Sequence, residues 1–176
     1  MASQLPTGYK WIDITVPLDD VFRQYDELTD NLIIFASGDP LFYGFAATVQ
    51  RERPDWHLTV YPSFHSLQLL AHRLCLPYQN MRMVSLTGRP WDALDEALIS
   101  GCSLIGCLTD WAKTPEAIWQ RMKEYGYDAY YTMTVGEHLG NPIAERVTPL
   151  NPPHQTPNCV ILRQTAVRPR PFGIPE

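Results

Sequence analysis

Apolar residues along this chain fall into two alternating patterns. Short runs rich in β-branched, aromatic and aliphatic side chains lie at 11–16, 32–36, 57–61, 82–86, 103–108, 130–135 and 159–163, a composition that suits extended segments on a half-buried sheet. Between them, at 18–28, 41–53, 64–74, 91–100 and 115–125, apolar residues recur at three-and-four spacing, which puts them on one face of a helix. The alternation predicts an α/β protein with a largely parallel sheet. After Tyr125 the helical pattern stops and strand-like pieces joined by turns take over, so the last third predicts antiparallel pairing and a mixed sheet. Pro62 ends an extended segment and suggests a division into two lobes, 1–61 and 62–165. Residues 166–176 hold Pro169, Pro171 and Pro175 beside Arg168 and Arg170, a stiff composition that reads as a linker.

Composition narrows the class. At 176 residues, with 45% hydrophobic and 19% charged residues, the chain can bury a sizeable core. No apolar stretch is long enough to span a bilayer and no secretory signal opens the sequence, so it reads as cytoplasmic with no membrane partner. Fourteen Lys and Arg against nineteen Asp and Glu give a formal charge of −5, which argues against a nucleic-acid partner and requires any polyanionic ligand to find a locally basic pocket. Cys75, Cys102, Cys107 and Cys159 form no CxxC pair, and they read as buried thiols of a reducing compartment with no metal site.

Three predicted strand ends share one design. They read Ser37-Gly38-Asp39-Pro40, Thr87-Gly88-Arg89-Pro90, and Thr109-Asp110 leading on to Thr114-Pro115. Proline suits the first position of a helix, and Asp39 or Thr114 before it can cap the free N–H groups. Gly38 and Gly88 leave room for close backbone approach. At the carboxyl edge of a parallel sheet such ends frame a ligand cleft.

The run from Phe35 to Gly44, with Gly38-Asp39-Pro40 at its centre, resembles the Gly-Asp-Pro segment of the tetrapyrrole methylases. Pro62-Ser63-Phe64-His65-Ser66 is similar to that family's Pro-Gly-x-Ser-Ser turn. Val84-Ser85-Leu86-Thr87-Gly88-Arg89, Leu108-Thr109-Asp110 with Thr114-Pro115, Val135-Gly136-Glu137-His138-Leu139-Gly140 and Glu145-Arg146 continue the match in order. The pattern resembles most the branch that methylates precorrin-6Y, or cobalt-precorrin-7, at C5.

The resemblance implies a two-lobed α/β fold in which the N-terminal lobe is truncated, with S-adenosylmethionine as cofactor and a precorrin or cobalt-precorrin as substrate. It implies a homodimer, and the Pro-Phe-Gly tail suggests a junction to a fused or separate decarboxylating methyltransferase domain. Position by position it assigns Gly38, Asp39, Pro40, Phe42, Tyr43, Ser66, Leu67, Leu108 and Thr109 to the cofactor, and Arg89, Arg146 and His138 to the substrate. It names no catalytic side chain, since methyl transfer needs alignment and shielding more than a covalent nucleophile. His65, like His138, has the chemistry of a proton acceptor near neutral pH. The family's Gly-x-Gly-Pro-Gly loop has no counterpart in the opening Met1-Ala2-Ser3-Gln4, and the histidine before its Gly-Arg pair is Thr87 here. Two readings follow, a truncated methyltransferase domain or a non-catalytic corrinoid-binding or dimerisation domain.

Overall fold

The computed structural model describes residues 10–29 and 31–169. Two compact units form, Met1–Phe35 and Ala36–Glu176. Among its described residues the first holds one helix, α1 (Asp19–Asp26), whose spacing buries Val21, Phe22 and Tyr25 on one side. Asp19 and Asp20 stand in its first turn, where carboxylates meet the positive end of the helix dipole.

The second unit carries α2 (Phe45–Glu52), α3 (Ser66–Arg73), β1 (Arg82–Ser85), α4 (Asp92–Ile99), β2 (Leu104–Leu108), α5 (Pro115–Glu124), a 3-10 turn at Asp128–Tyr130, β3 (Tyr131–Glu137), β4 (Arg146–Pro149) and β5 (Asn158–Gln164). The strands make one five-stranded sheet in the order β1-β2-β5-β3-β4. Only β1 and β2 run parallel; β2 with β5, β5 with β3 and β3 with β4 pair antiparallel. The sheet is mixed, as the strand-like pieces after Tyr125 predict, and its parallel share is smaller than the alternation in the first two thirds suggests. Runs 11–16, 32–36 and 57–61 carry no ladder. A strand needs a partner and a buried face, and Val16, Ile33, Phe35 and Tyr61 are all exposed.

Strand alternation sorts the core into two layers. Ile105 and Cys107 of β2, Met133 and Val135 of β3, and Val160 and Leu162 of β5 pack with Leu94, Leu98, Ile118 and Met122 of α4 and α5. On the other face Cys159 and Ile161 meet Leu67, Leu70 and Ala71 of α3. Helix α3 lies close to the sheet because glycine stands under it twice. A β-carbon at Gly106 would sit 3.0 Å from Leu67 Cδ1, and one at Gly136 would sit 3.0 Å from Leu70 Cδ1. The two small residues thus fix the height of α3, and with it the position of its N-terminus.

Candidate active site

The N-terminus of α3 opens onto a cavity of about 280 Å3, near the lower end of the ~300–1,000 Å3 usual for small-molecule sites. Its walls come from the 37–44 loop, the start of α3, the end of β2 at Leu108, Gly136 of β3 and the Pro157-Asn158 entry to β5. Gly38, with φ of +70°, turns the loop so that its backbone passes near the His65 Cα. Tyr43 also takes a left-handed conformation, at φ of 52°.

The local hydrogen bonds explain why these segments meet. Asp39 Oδ1 accepts the Leu41 N–H at 2.9 Å, and the Phe42 N–H donates to Asp39 O at 3.3 Å. Asp39 therefore closes a tight turn, and α2 begins only at Phe45 with no side-chain cap. The helix expected to open at Pro40 is corrected accordingly: the Asp39 side chain satisfies the first free N–H within a turn. Thr114 behaves as read, accepting the Ala117 N–H at 3.2 Å ahead of Pro115.

Helix α3 starts with an imidazole. The Gln68 N–H donates to His65 Nδ1 at 3.3 Å, and the His65 N–H donates to Gln68 Oε1 at 3.1 Å, a reciprocal capping box. The imidazole stacks on Phe42, with centroids 3.9 Å apart and planes at 19°. Burial holds the His65 pKa below its ordinary value, and Asp39 partly offsets this.

The ends of β1 and β2 are tied together beside the cavity. Thr87 Oγ1 donates to Thr109 O at 3.0 Å, and the Gly88 N–H donates to Asp110 Oδ2 at 2.9 Å. Amide donors from Gly88, Lys113 and Ala112 hold the Asp110 carboxyl below its usual range. Thr109 Oγ1 lies 2.6 Å from Asn158 O and 2.7 Å from Asn158 Oδ1, so β2 fixes the β5 residue that lines the cavity.

Of the positions singled out from the sequence, Gly38, Asp39, Phe42, Tyr43, Ser66 and Leu108 line this cavity together. Pro40 lies in the same loop, and Thr109 stands one bond behind the wall. Leu67 places its side chain in the core under α3. Arg89 stands over the Tyr43 ring at 4.9 Å while Nη1 donates to Ser85 Oγ and Thr87 O. Arg146 donates to Glu137 Oε2 at 2.6 Å and to Pro153 O at 3.2 Å. His138 Nε2 lies 3.2 Å from Gln155 Oε1, so Arg146 and His138 join a second cluster around Glu137. The sequence reading left out Asn158 and Pro157, which carry no motif; Gly136 and Leu139 lie inside a quoted motif without a role.

No family model matches the sequence. The chain is similar to a precorrin-6Y C(5,15)-methyltransferase (decarboxylating) of a Sinorhizobium species, 32% identical over 151 residues, which is 84% of this chain and 35% of that protein. The match extends over most of this chain the resemblance to the tetrapyrrole methylases that the sequence motifs carry. The chain spans about a third of the length of that curated relative. Its fold is similar to that of the methyltransferase CobJ, at TM-score 0.56 and 13% identity over 76% of this chain and 64% of the other. It is also similar to uroporphyrin-III C-methyltransferase of Thermus thermophilus complexed with S-adenosylhomocysteine, at TM-score 0.53 and 19% identity over 72% and 62%. The cavity at the start of α3 is the place where the motif positions converge. Among the described residues no helix is long and apolar enough to cross a membrane.

Proposed function

We propose that this chain is the S-adenosylmethionine-binding part of a C-methyltransferase acting on a precorrin or cobalt-precorrin ring carbon, C5 by its resemblance, in cobalamin biosynthesis. The observation that carries the reading is the convergence of Gly38, Asp39, Phe42, Tyr43, Ser66 and Leu108 on one cavity, from segments up to seventy residues apart in the sequence. When bound, S-adenosylmethionine supplies an electrophilic methyl group on a sulfonium sulfur.

The lining suits such a molecule. The rings of Phe42, Tyr43 and Phe64 offer apolar and π surface to an adenine or a sulfonium, and the Asp39 carboxylate adds negative charge for a cationic ligand. These groups orient the ligand and exclude water, which is where a methyl transfer gains most from a protein. Arg89, held by Ser85 and Thr87 above Tyr43, offers a cation to a substrate carboxylate at the rim. Arg146 is the second such cation in this reading, shared with Glu137. The protein works as a homodimer, for which the exposed Trp111 and Ile143 side chains provide apolar surface.

Calorimetric titration of S-adenosylhomocysteine into this chain tests the proposal. Micromolar affinity, about −8 kcal/mol, that falls in an Asp39→Ala variant is the expected result. Absence of binding to the wild-type chain would overturn the assignment of the cofactor to this cavity.

A further inference from the structure

The segment between β4 and β5, residues 150–157, carries a histidine, His154, whose side chain is only 1% exposed. The Asn151 N–H donates to its Nε2 at 3.3 Å and closes a tight turn. A nitrogen that accepts this bond carries no proton, so the neutral ring keeps its single proton on Nδ1. Nδ1 is buried without a hydrogen-bond partner. It faces Glu137 Oε2 at 3.6 Å, too far for a hydrogen bond, and that oxygen already accepts the Arg146 Nε–H at 2.6 Å. Beyond Nε2 stands a second carboxylate, Glu116 Oε1 in the first turn of α5, at 3.9 Å. The charged groups around the ring are therefore Glu137 of β3, Arg146 of β4 and Glu116 of α5, two anions against one cation.

We propose that His154 is a proton-operated latch on the 150–157 segment. The neutral ring holds the segment closed as the acceptor for Asn151. A proton taken from solvent at Nε2 turns that acceptor into a donor for the Glu116 carboxylate, and the Asn151 N–H is released. Imidazole is the side chain whose charge changes between about pH 5 and 8. A buried cation needs partner anions, and Glu116 and Glu137 stand ready on either side of the ring. The release reaches the cavity by short links. The Gln155 N–H, one residue on, donates to Glu137 Oε1, Asn158 Nδ2 donates to Gln155 O at 2.9 Å, and Pro157 O accepts the His138 N–H at 2.9 Å. Pro157 and Asn158 line the cavity, so the proton on His154 adjusts one of its walls. This goes beyond the function proposed above, since it holds for any occupant of the cavity.

Two variants separate the latch from ordinary packing. His154→Gln keeps a side-chain acceptor for the Asn151 N–H but never becomes charged, and Glu116→Gln keeps the histidine but removes the carboxylate that captures it. The chain without ligand is titrated from about pH 7.5 to about pH 5.5, and the histidine ring nitrogens and the Asn151 and Asn158 backbone amides are followed by 15N NMR. The expected result is a His154 ring protonated on Nδ1 at the upper pH, with both amides moving in step as Nε2 takes its proton. His154→Gln should show no such movement, and Glu116→Gln should shift the midpoint to lower pH. Deuterium exchange at the Asn151 amide, compared with His154→Gln at each pH, should accelerate about fivefold on acidification. An Nε2-protonated ring at the upper pH, a ring that takes no proton, amides that stay still while the ring titrates, or an unmoved midpoint in Glu116→Gln would each overturn the latch. So would the same movement in His154→Gln, which retains His138 beside Gln155. A still Asn158 beside a moving Asn151 would overturn the link to the cavity. Should His154→Gln not fold, the wild-type and Glu116→Gln titrations decide.

Discussion

Glu137 accepts the Nε–H of Arg146 at 2.6 Å from a position at the end of β3 that is only 1% exposed, while the arginine stays half exposed. A buried carboxylate needs such partners. The Gln155 N–H donates to its other oxygen, and His154 Nδ1 lies 3.6 Å away. The cluster joins β3, β4 and the 150–157 segment just behind Pro157 and Asn158, two residues of the cavity wall. Arg146 therefore has a structural duty alongside any contact with a substrate carboxylate.

The pH dependence of stability follows. Burial pushes the Glu137 pKa up, but the Arg146 hydrogen bond, the Gln155 N–H and the Arg146 charge outweigh it and leave the carboxyl below its ordinary 4.5. A depressed native pKa means the unfolded chain binds the proton more readily. The stabilisation is present above about pH 4.5 and is lost as the pH falls through the native value. Asp110 and Glu145 are depressed as well, so the comparison must be made between variants. Glu137→Gln is expected to unfold at lower denaturant than wild type at pH 7, with the gap narrowing steadily below pH 4.5. A gap that stays constant down to pH 3 in urea titrations would count against the charge pairing.

Thr109 makes a different kind of prediction, because its hydroxyl touches no cavity space yet holds a residue that does. Thr109→Val keeps the shape and leaves Asn158 O and Oδ1 without their partner. Removing one hydrogen bond of a partly buried pair costs about 1 kcal/mol. A loss of that size in folding stability should come with weaker S-adenosylhomocysteine binding by a fewfold, both read by thermal shift with and without ligand. Unchanged binding would place Asn158 outside the ligand contact.

The glycine under α3 can be probed directly. A methyl group at Gly136 would sit 2.8 Å from Leu139 Cδ1 and 3.0 Å from Leu70 Cδ1, and both leucines would have to shift. Gly136→Ala is expected to destabilise by about 1–3 kcal/mol in urea unfolding. Leu139 and Gly136 both line the cavity, so the same variant should also weaken ligand binding. A neutral effect on both would show that the leucines repack freely and that α3 is not held at a fixed height.

Much of the second unit was legible because its signals are local. Helices α3, α4 and α5 and strands β1, β2, β3 and β5 lie where apolar periodicity puts them, each with one face buried. Strand β4 was missed, since Arg146-Val147-Thr148-Pro149 is four residues long and ends in proline, which suits an edge strand and gives a weak pattern. The runs 11–16, 32–36 and 57–61 failed as strands for a non-local reason, the lack of a pairing neighbour among the described residues. In the site, spacing could show that Leu67 follows Ser66 on a helix start, but only the packing of α3 shows that Ser66 faces the cavity and Leu67 the core. His65 as a cap lay beyond propensity rules, which rank other residues for that role.

The cysteines test the burial pattern as a whole. Cys107 and Cys159 occupy adjacent positions of the β2–β5 ladder, Cys107 opposite Val160 and Cys159 opposite Leu108. Their side chains enter opposite core layers. Burial pushes both thiols up, that of Cys159 to about 12, so almost no thiolate forms near neutral pH and no reagent reaches the sulfur in the folded state. Cys75 is exposed. Alkylation with iodoacetamide at pH 8, followed by peptide mass analysis, should label Cys75 within minutes and leave Cys107 and Cys159 unmodified until denaturant unfolds the sheet. The protection of the two buried cysteines should then decay at one common rate, since losing β5 exposes both core layers at once; labelling of Cys159 well ahead of Cys107 would mean that α3 detaches from its glycine seat while the other layer stays closed.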